Sequence, residues 1–156
     1  MEIIIQSLID GALMGCIYAL IALGLSIIFG VMNVVNFAHG NFVMLSMYFS
    51  FWAGSLWGID AVLTPLITFP LLFVIGMLVY YGIIDRTLKE HYTIQIAVTV
   101  GLMTFLGAIT QLAWKAQPRA LSYSFIQGNI QFGGYTIALS RLISAIISLI
   151  IIMIIS

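Results

Sequence analysis

Charge is what this sequence has least of. Asp, Glu, Lys and Arg together make up 6% of its 156 residues, five basic against five acidic, for a formal net charge of zero. A soluble domain carries about 25% charged residues. Nothing in so sparse and balanced a set points to nucleic acid or an acidic macromolecule as a partner. Cysteine is almost missing too: Cys16 stands alone inside the first apolar run, a setting for a buried thiol rather than a disulfide or a metal ligand, so no redox chemistry is indicated. Catalytic signatures are absent. The chain has no phosphate-cradling Gly-rich loop with a Lys, no His-Glu-x-x-His metal pair and no Ser or Cys nucleophile pattern, which excludes the usual enzyme classes and leaves no cofactor or metal to be expected. The features of a secretory leader are scarce as well. "MEIIIQSLID" places Glu2 and Asp10 where a leader carries Lys or Arg, and no small-residue cleavage pattern follows, so the first apolar stretch is expected to stay in the mature protein.

What the sequence does have is hydrophobicity. Apolar residues make up 63% of the chain and the mean hydropathy is +1.20, against roughly 45–50% apolar for a soluble domain. This composition is that of an integral membrane protein. From Gly11 to Ile59 the only Asp, Glu, Lys, Arg or His is His39; a spanning helix needs about 20 residues, so that interval holds two. Five apolar segments follow in all, near 11–32, 41–58, 61–84, 93–114 and 137–156. A membrane barrel alternates apolar and polar positions over short segments. "LITFPLLFVIGMLVYYGII" is apolar on every face, and only helices satisfy its backbone in lipid. The predicted fold is therefore all-α: one domain, a polytopic helix bundle of about five membrane segments. Its connection 85–92 is compact and charged, and the one from Lys115 to Ser140 is long and polar. Lys and Arg near the helix ends give a weak preference for a cytoplasmic 85–92.

Two local patterns stand out. Gly11, Gly15, Ala19, Ala22, Ser26 and Gly30 recur at steps of four, four, three, four and four, one face of a helix that another helix could approach closely. Between the first two segments, "NVVNFAHGN" sets Asn33, Asn36, His39, Gly40 and Asn41 where the flanking chain is built for lipid. Unsatisfied polar groups there cost several kcal/mol. Two placements meet that demand. One is a tight turn at the membrane surface, with Asn33 ending a helix, Gly40 as turn residue and Asn41 near the next helix start. The other is a protein-lined break bordering a solute path, with the polar residues satisfied by neighbouring helices.

The stretch "GALMGCIYALIALGLSIIFGVMNVVNFAHGNFVMLSMYFSF" (11–51) closely resembles the N-terminal region of branched-chain amino acid ABC transporter permeases: small-rich, then Tyr-Ala-Leu, then Asn-Phe-Ala-His-Gly, then Met and Tyr. "IDRTLKEHYTIQIAVTVGLMTFLGAITQLAWKAQPRAL" (84–121) resembles the family's next section. The resemblance implies a membrane subunit of an importer, working with a second permease subunit, cytoplasmic ATPase subunits and an extracytoplasmic substrate-binding protein, with ATP hydrolysed on the partner. It also implies a cytoplasmic 85–92 loop; in the second placement of the polar break, Asn33, Asn36, His39, Gly40 and Asn41 border the substrate pathway. Arg119, Gly128 and Asn129 then fall on the outer loop, where "IQGNIQF" fits either a hairpin around Gly128-Asn129 that meets the binding protein or a solvated connection.

Departures qualify the likeness. Asn41 stands where the family often has Glu, and family members are roughly twice as long, whereas this sequence stops at "LIIIMIIS" within an apolar run. The alternative expectation is accordingly a truncated, non-transporting remnant or membrane interaction protein. Another small solute, such as urea or a different amino acid, is the alternative substrate.

Overall fold

The computed structural model describes residues 2–60, 62–115, 128–132 and 135–155. The chain is helical at each of the five apolar segments. Helices α1 (Glu2–Met32) and α2 (His39–Trp57) flank the polar stretch. Helix α3 (Pro65–Val79) continues through a π-turn (Tyr80–Ile84) into the short α4 (Asp85–Thr87), and α5 (Tyr92–Trp114) follows. Strands β1 (Asn129–Phe132) and β2 (Tyr135–Ala138) precede α6 (Leu139–Ile155). Among the described residues, three helical stretches are long and apolar enough to cross a membrane: Ile3–Met32, Pro65–Thr87 and Tyr92–Trp114. Helix α6 is apolar but shorter. The first helix starts well before residue 11, because Asp10 does not interrupt it and instead forms an ion pair at its surface.

The chain divides into two compact units, Met1–Ile27 with Ile126–Ser156, and Ile28–Phe125. In the first unit β1 and β2 pair antiparallel, Phe132 opposite Tyr135 and Asn129 opposite Ala138. The expected turn at Gly128-Asn129 is therefore wrong by several residues. Asn129 lies in a strand, and the register pairs Phe132 with Tyr135, so the strands close beyond Phe132 and not at Gly128-Asn129. The main-chain bond from Leu139 N–H to Gly128 C=O, 3.0 Å, sets the alternation of bonded pairs, so the N–H and C=O of Thr136 point away from β1. Gln6 of α1 meets both groups: its Nε2 donates to Thr136 O at 2.8 Å and its Oε1 accepts from Thr136 N at 3.1 Å. One side-chain amide thus acts as a strand partner and closes this edge of the hairpin. One turn along α1, Asp10 accepts from Gln6 Nε2 at 3.2 Å and from Arg141 Nη1 of α6 at 2.7 Å.

The second unit is organised around the crossing of α2 and α5. Ala38, Leu45, Leu102 and Leu106 form its buried cluster, with Phe42, Phe49, Leu72 and Trp114 packed against it. Trp114 stacks on Tyr48 at a ring separation of 4.8 Å. Threonine enters this apolar interior without orphaning its hydroxyl: Thr68 Oγ1 donates to Thr64 O at 3.1 Å and Thr110 Oγ1 to Leu106 O at 2.7 Å, each four residues back along its own helix. Three helices here end on a left-handed residue, Asn33 (φ 53°), Gly58 (φ 62°) and Lys115 (φ 56°). Asp60 is 4% exposed and opens the turn into α3, its Oδ1 accepting from Val62 N at 2.8 Å.

Candidate functional site: a clamped break beside an apolar cavity

The polar stretch leaves the helical conformation for only a few residues. Asn33 adopts the left-handed conformation that ends α1, and its N–H still reaches Phe29 O at 2.8 Å. Asn is among the few residues with a side chain that tolerate this conformation. Asn36 then turns the chain back into a helix: its Oδ1 accepts from Ala38 N at 3.1 Å and its main-chain O from His39 N at 3.1 Å. This is an Asx turn that serves the start of α2 two residues upstream of the usual capping position. Gly40 is not the turn residue. It lies in the first turn of α2, exposed, because Asn36 and Ala38 already make the reversal.

Helix α5 holds this segment at two points. Thr99 Oγ1 donates to Val35 O at 3.1 Å, and one turn along the same helix Met103 O accepts from Asn41 Nδ2 at 2.7 Å. Gly107 lies close by; a Cβ built there would stand 3.4 Å from Asn41 Nδ2. Interhelical bonding, expected for Asn33, Asn36 and His39, is thus found at Asn41 and at the Val35 carbonyl, while Asn36 is satisfied within the break itself. Ala38, with no exposure, and Val34, with 2%, pin the apolar side of the segment into the core.

A cavity of about 540 Å³ opens against the other side of the break, within the roughly 300–1,000 Å³ range of small-molecule sites. Ile28 and Met32 from the last turns of α1 form one wall, and Asn36, His39 and Phe42 another. The far wall is α3 and the π-turn, with Phe69, Phe73, Gly76, Tyr80 and Ile84. No Asp, Glu, Lys or Arg lines it; His39, Asn36 and Tyr80 are the polar residues of an otherwise aliphatic and aromatic lining. Such a cavity favours an apolar group and offers hydrogen bonds at one side. It holds no nucleophile or charged acid-base pair, and among the described residues no three His, Cys, Asp or Glu side chains converge to hold a metal.

Of the five residues singled out along this stretch, the structure brings Asn36 and His39 to the cavity. Asn41 ties α2 to α5, Gly40 is exposed at the helix start, and Asn33, also exposed, is a backbone device. The small-residue face of α1 is exposed along its length at Gly11, Gly15, Ala19, Ala22, Ser26 and Gly30. A Cβ built on any of its three glycines meets nothing within 4 Å. Gly128 and Asn129 are exposed at the start of the hairpin, and Arg119 lies outside the described residues. Asp85, Arg86, Lys89 and Glu90 are all exposed, as a solvated connection requires.

The sequence reading missed the far wall. Phe69, Phe73, Gly76 and Tyr80 do recur at steps of four, three and four, one helical face. That period is hidden because α3 is apolar all round, so no contrast marks which side meets protein. Thr99 was missed for a similar reason, being one threonine among several in α5.

Comparison with known proteins places this geometry. The chain is 30% identical over 137 residues to the high-affinity branched-chain amino acid transport system permease protein BraD of Pseudomonas aeruginosa, covering 83% of this chain and 44% of BraD. It is 40% identical over 47 residues to the permease protein LivH of the corresponding systems of Salmonella typhimurium and Escherichia coli, covering 30% of this chain and 15% of LivH. The chain thus spans less than half the length of these curated relatives. No solved structure matches it. The sequence profile described as the permease component of branched-chain amino acid transport systems matches residues 7–156. With that match running through the break, the cavity walls and the hairpin, the chain belongs to this permease family, a family of multi-pass membrane transport proteins and not of enzymes.

Proposed function

We propose that this chain forms part of the translocation path of an ABC importer for branched-chain and other hydrophobic amino acids. The supporting observation is the pairing, in a member of this permease family, of a clamped polar break with an apolar cavity. An amino acid of this class has the matching division. Its side chain suits the aliphatic and aromatic walls, while its charged ends need the amide of Asn36, the imidazole of His39 and the positive end of α2. The chain itself performs no bond chemistry. ATP is hydrolysed on separate cytoplasmic subunits, a second permease subunit completes the path, and an extracytoplasmic binding protein delivers the solute. In this reading the charged 85–92 connection faces the cytoplasm and the hairpin faces outward. Access alternates by helix movement.

The test is labelled-leucine uptake by the native permease containing this chain, reconstituted with its ATPase and binding-protein partners, with urea and polar amino acids as competitors. ATP-dependent uptake, competed by aliphatic amino acids and not by urea, is expected. Asn36→Asp keeps the oxygen that accepts from Ala38 N but introduces a charge at an apolar cavity, and should lower uptake about tenfold or more at unchanged protein level. Absence of uptake from a verified, inserted complex refutes the proposal. Wild-type uptake by the Asn36→Asp protein removes Asn36 from the path.

A further inference from the structure

Among the described residues, one helical stretch is wound through a π-turn, and that turn lies at one end of the cavity. Its closing bond runs from Asp85 N–H to Tyr80 O, five residues apart. A π-turn therefore uses one residue more than an α-turn, and such insertions are frequent at functional sites. The register shows what the extra residue does. In an unbroken α-helix the next turn beyond Tyr80 is shared by the residues three and four places on, Ile83 and Ile84. Here Ile84 is 6% exposed and lines the cavity, whereas Ile83 is 38% exposed and takes no part in the lining. The insertion has turned Ile83 outward and seated Ile84 beneath Tyr80. It also fixes where the charged connection begins. With one residue fewer, the positions three and four beyond Tyr80 would be taken by the present Ile84 and by Asp85, bringing a carboxylate onto the cavity face; as built, Asp85 is exposed.

We infer that the π-turn sets the loop-side end of the cavity, and that Ile84 is a specificity-determining residue limiting how long an apolar side chain the cavity accepts. This rests on the permease reading above for the identity of the ligand, an amino acid with an uncharged aliphatic or aromatic side chain. The wall assignment itself rests on the register. Gly76, one turn back on the same face, leaves the cavity its width there: a Cβ at that position meets nothing within 4 Å.

Two measurements test the inference separately from the permease reading. The first reads the register without transport. In a Cys16→Ala background, membrane-permeant maleimide should label Ile83→Cys readily and Ile84→Cys slowly, and deletion of Gly82 should abolish that difference, while Gly82→Ala, which keeps the residue count, should preserve it. Equal labelling at the two positions, or a deletion that leaves the difference intact, overturns the inference whether or not the complex transports. The second uses the reconstituted permease and compares uptake of valine, leucine and phenylalanine. Ile84→Ala should raise the phenylalanine-to-valine ratio of kcat/KM about tenfold, the scale of discrimination that a few methylenes give. Gly76→Val should lower that ratio. A uniform change across all three substrates would make Ile84 merely structural. A complex that imports none of the three counts against the permease reading, and the labelling result then decides the wall assignment by itself.

Discussion

Replacing Thr99 by Val removes one hydroxyl from the centre of the second unit and keeps the side-chain shape. That hydroxyl is 3.1 Å from Val35 O and 3.0 Å from Ile96 O, sharing its single proton between them. The two acceptors are not equivalent. Ile96 O lies in α5 and keeps its ladder donor four residues on, whereas Val35 lies outside any helix and Thr99 supplies the hydrogen bond that the structure gives its carbonyl. Leaving a buried acceptor unsatisfied costs about 1–3 kcal/mol. Because Val35 is half-buried, the expected loss is about 1–2 kcal/mol, the lower part of that range. Asn41→Leu breaks the shorter contact, 2.7 Å to Met103 O, yet Met103 O retains the N–H of Gly107 within α5. The expected loss there is about 0.6 kcal/mol, the mean for side-chain hydrogen bonds between membrane helices. The shorter bond is therefore predicted to matter less. Equilibrium unfolding in mixed micelles, followed by helical circular dichroism, gives both values. If Asn41→Leu proves the more damaging, or Thr99→Val is neutral, the break is not held through the Val35 carbonyl and the clamp described above is wrong.

Gln6→Leu should open the outer edge of the hairpin, since Gln6 serves both main-chain groups of Thr136. Hydrogen exchange at the Thr136 amide is expected to accelerate about tenfold, equivalent to one net hydrogen bond, and unchanged exchange would remove Gln6 as an edge partner. At the end of α1, Asn33→Gly should be neutral or mildly stabilising, while Asn33→Val should cost about 1–2 kcal/mol because φ there is 53°; equal unfolding midpoints for the two variants would contradict the left-handed cap.

Much of the fold was legible because lipid leaves a chain few choices. Sparse charge and long apolar runs require helices, and helix is found in each apolar segment, although among the described residues three stretches, not five, are long and apolar enough to cross a membrane. The polar break was legible for the same reason, since Asn33, Asn36 and Asn41 are conspicuous only against an apolar background. The hairpin was legible as a pairing of strands, but its turn was misplaced onto Gly128-Asn129, because a Gly-Asn pair and the Gly-Gly pair at 133 and 134 both satisfy the local chemistry of a tight turn and strand register arbitrates between them.

Sequence alone determined that this is a helical membrane protein, and which few residues interrupt it. These follow from composition, to which each residue contributes independently. Tertiary structure decided what the interruptions do. Asn36 serves its own turn, Asn41 serves Met103, and Thr99 serves a carbonyl sixty-four positions away. It also decided which face of the uniformly apolar α3 becomes a cavity wall, and that one extra residue at Tyr80–Ile84 turns Ile84 inward and leaves Asp85 outside. Hydrogen-bond partners and helix faces are relations between distant segments, and a helix that is apolar on every side carries no periodic mark of which side its neighbours will cover.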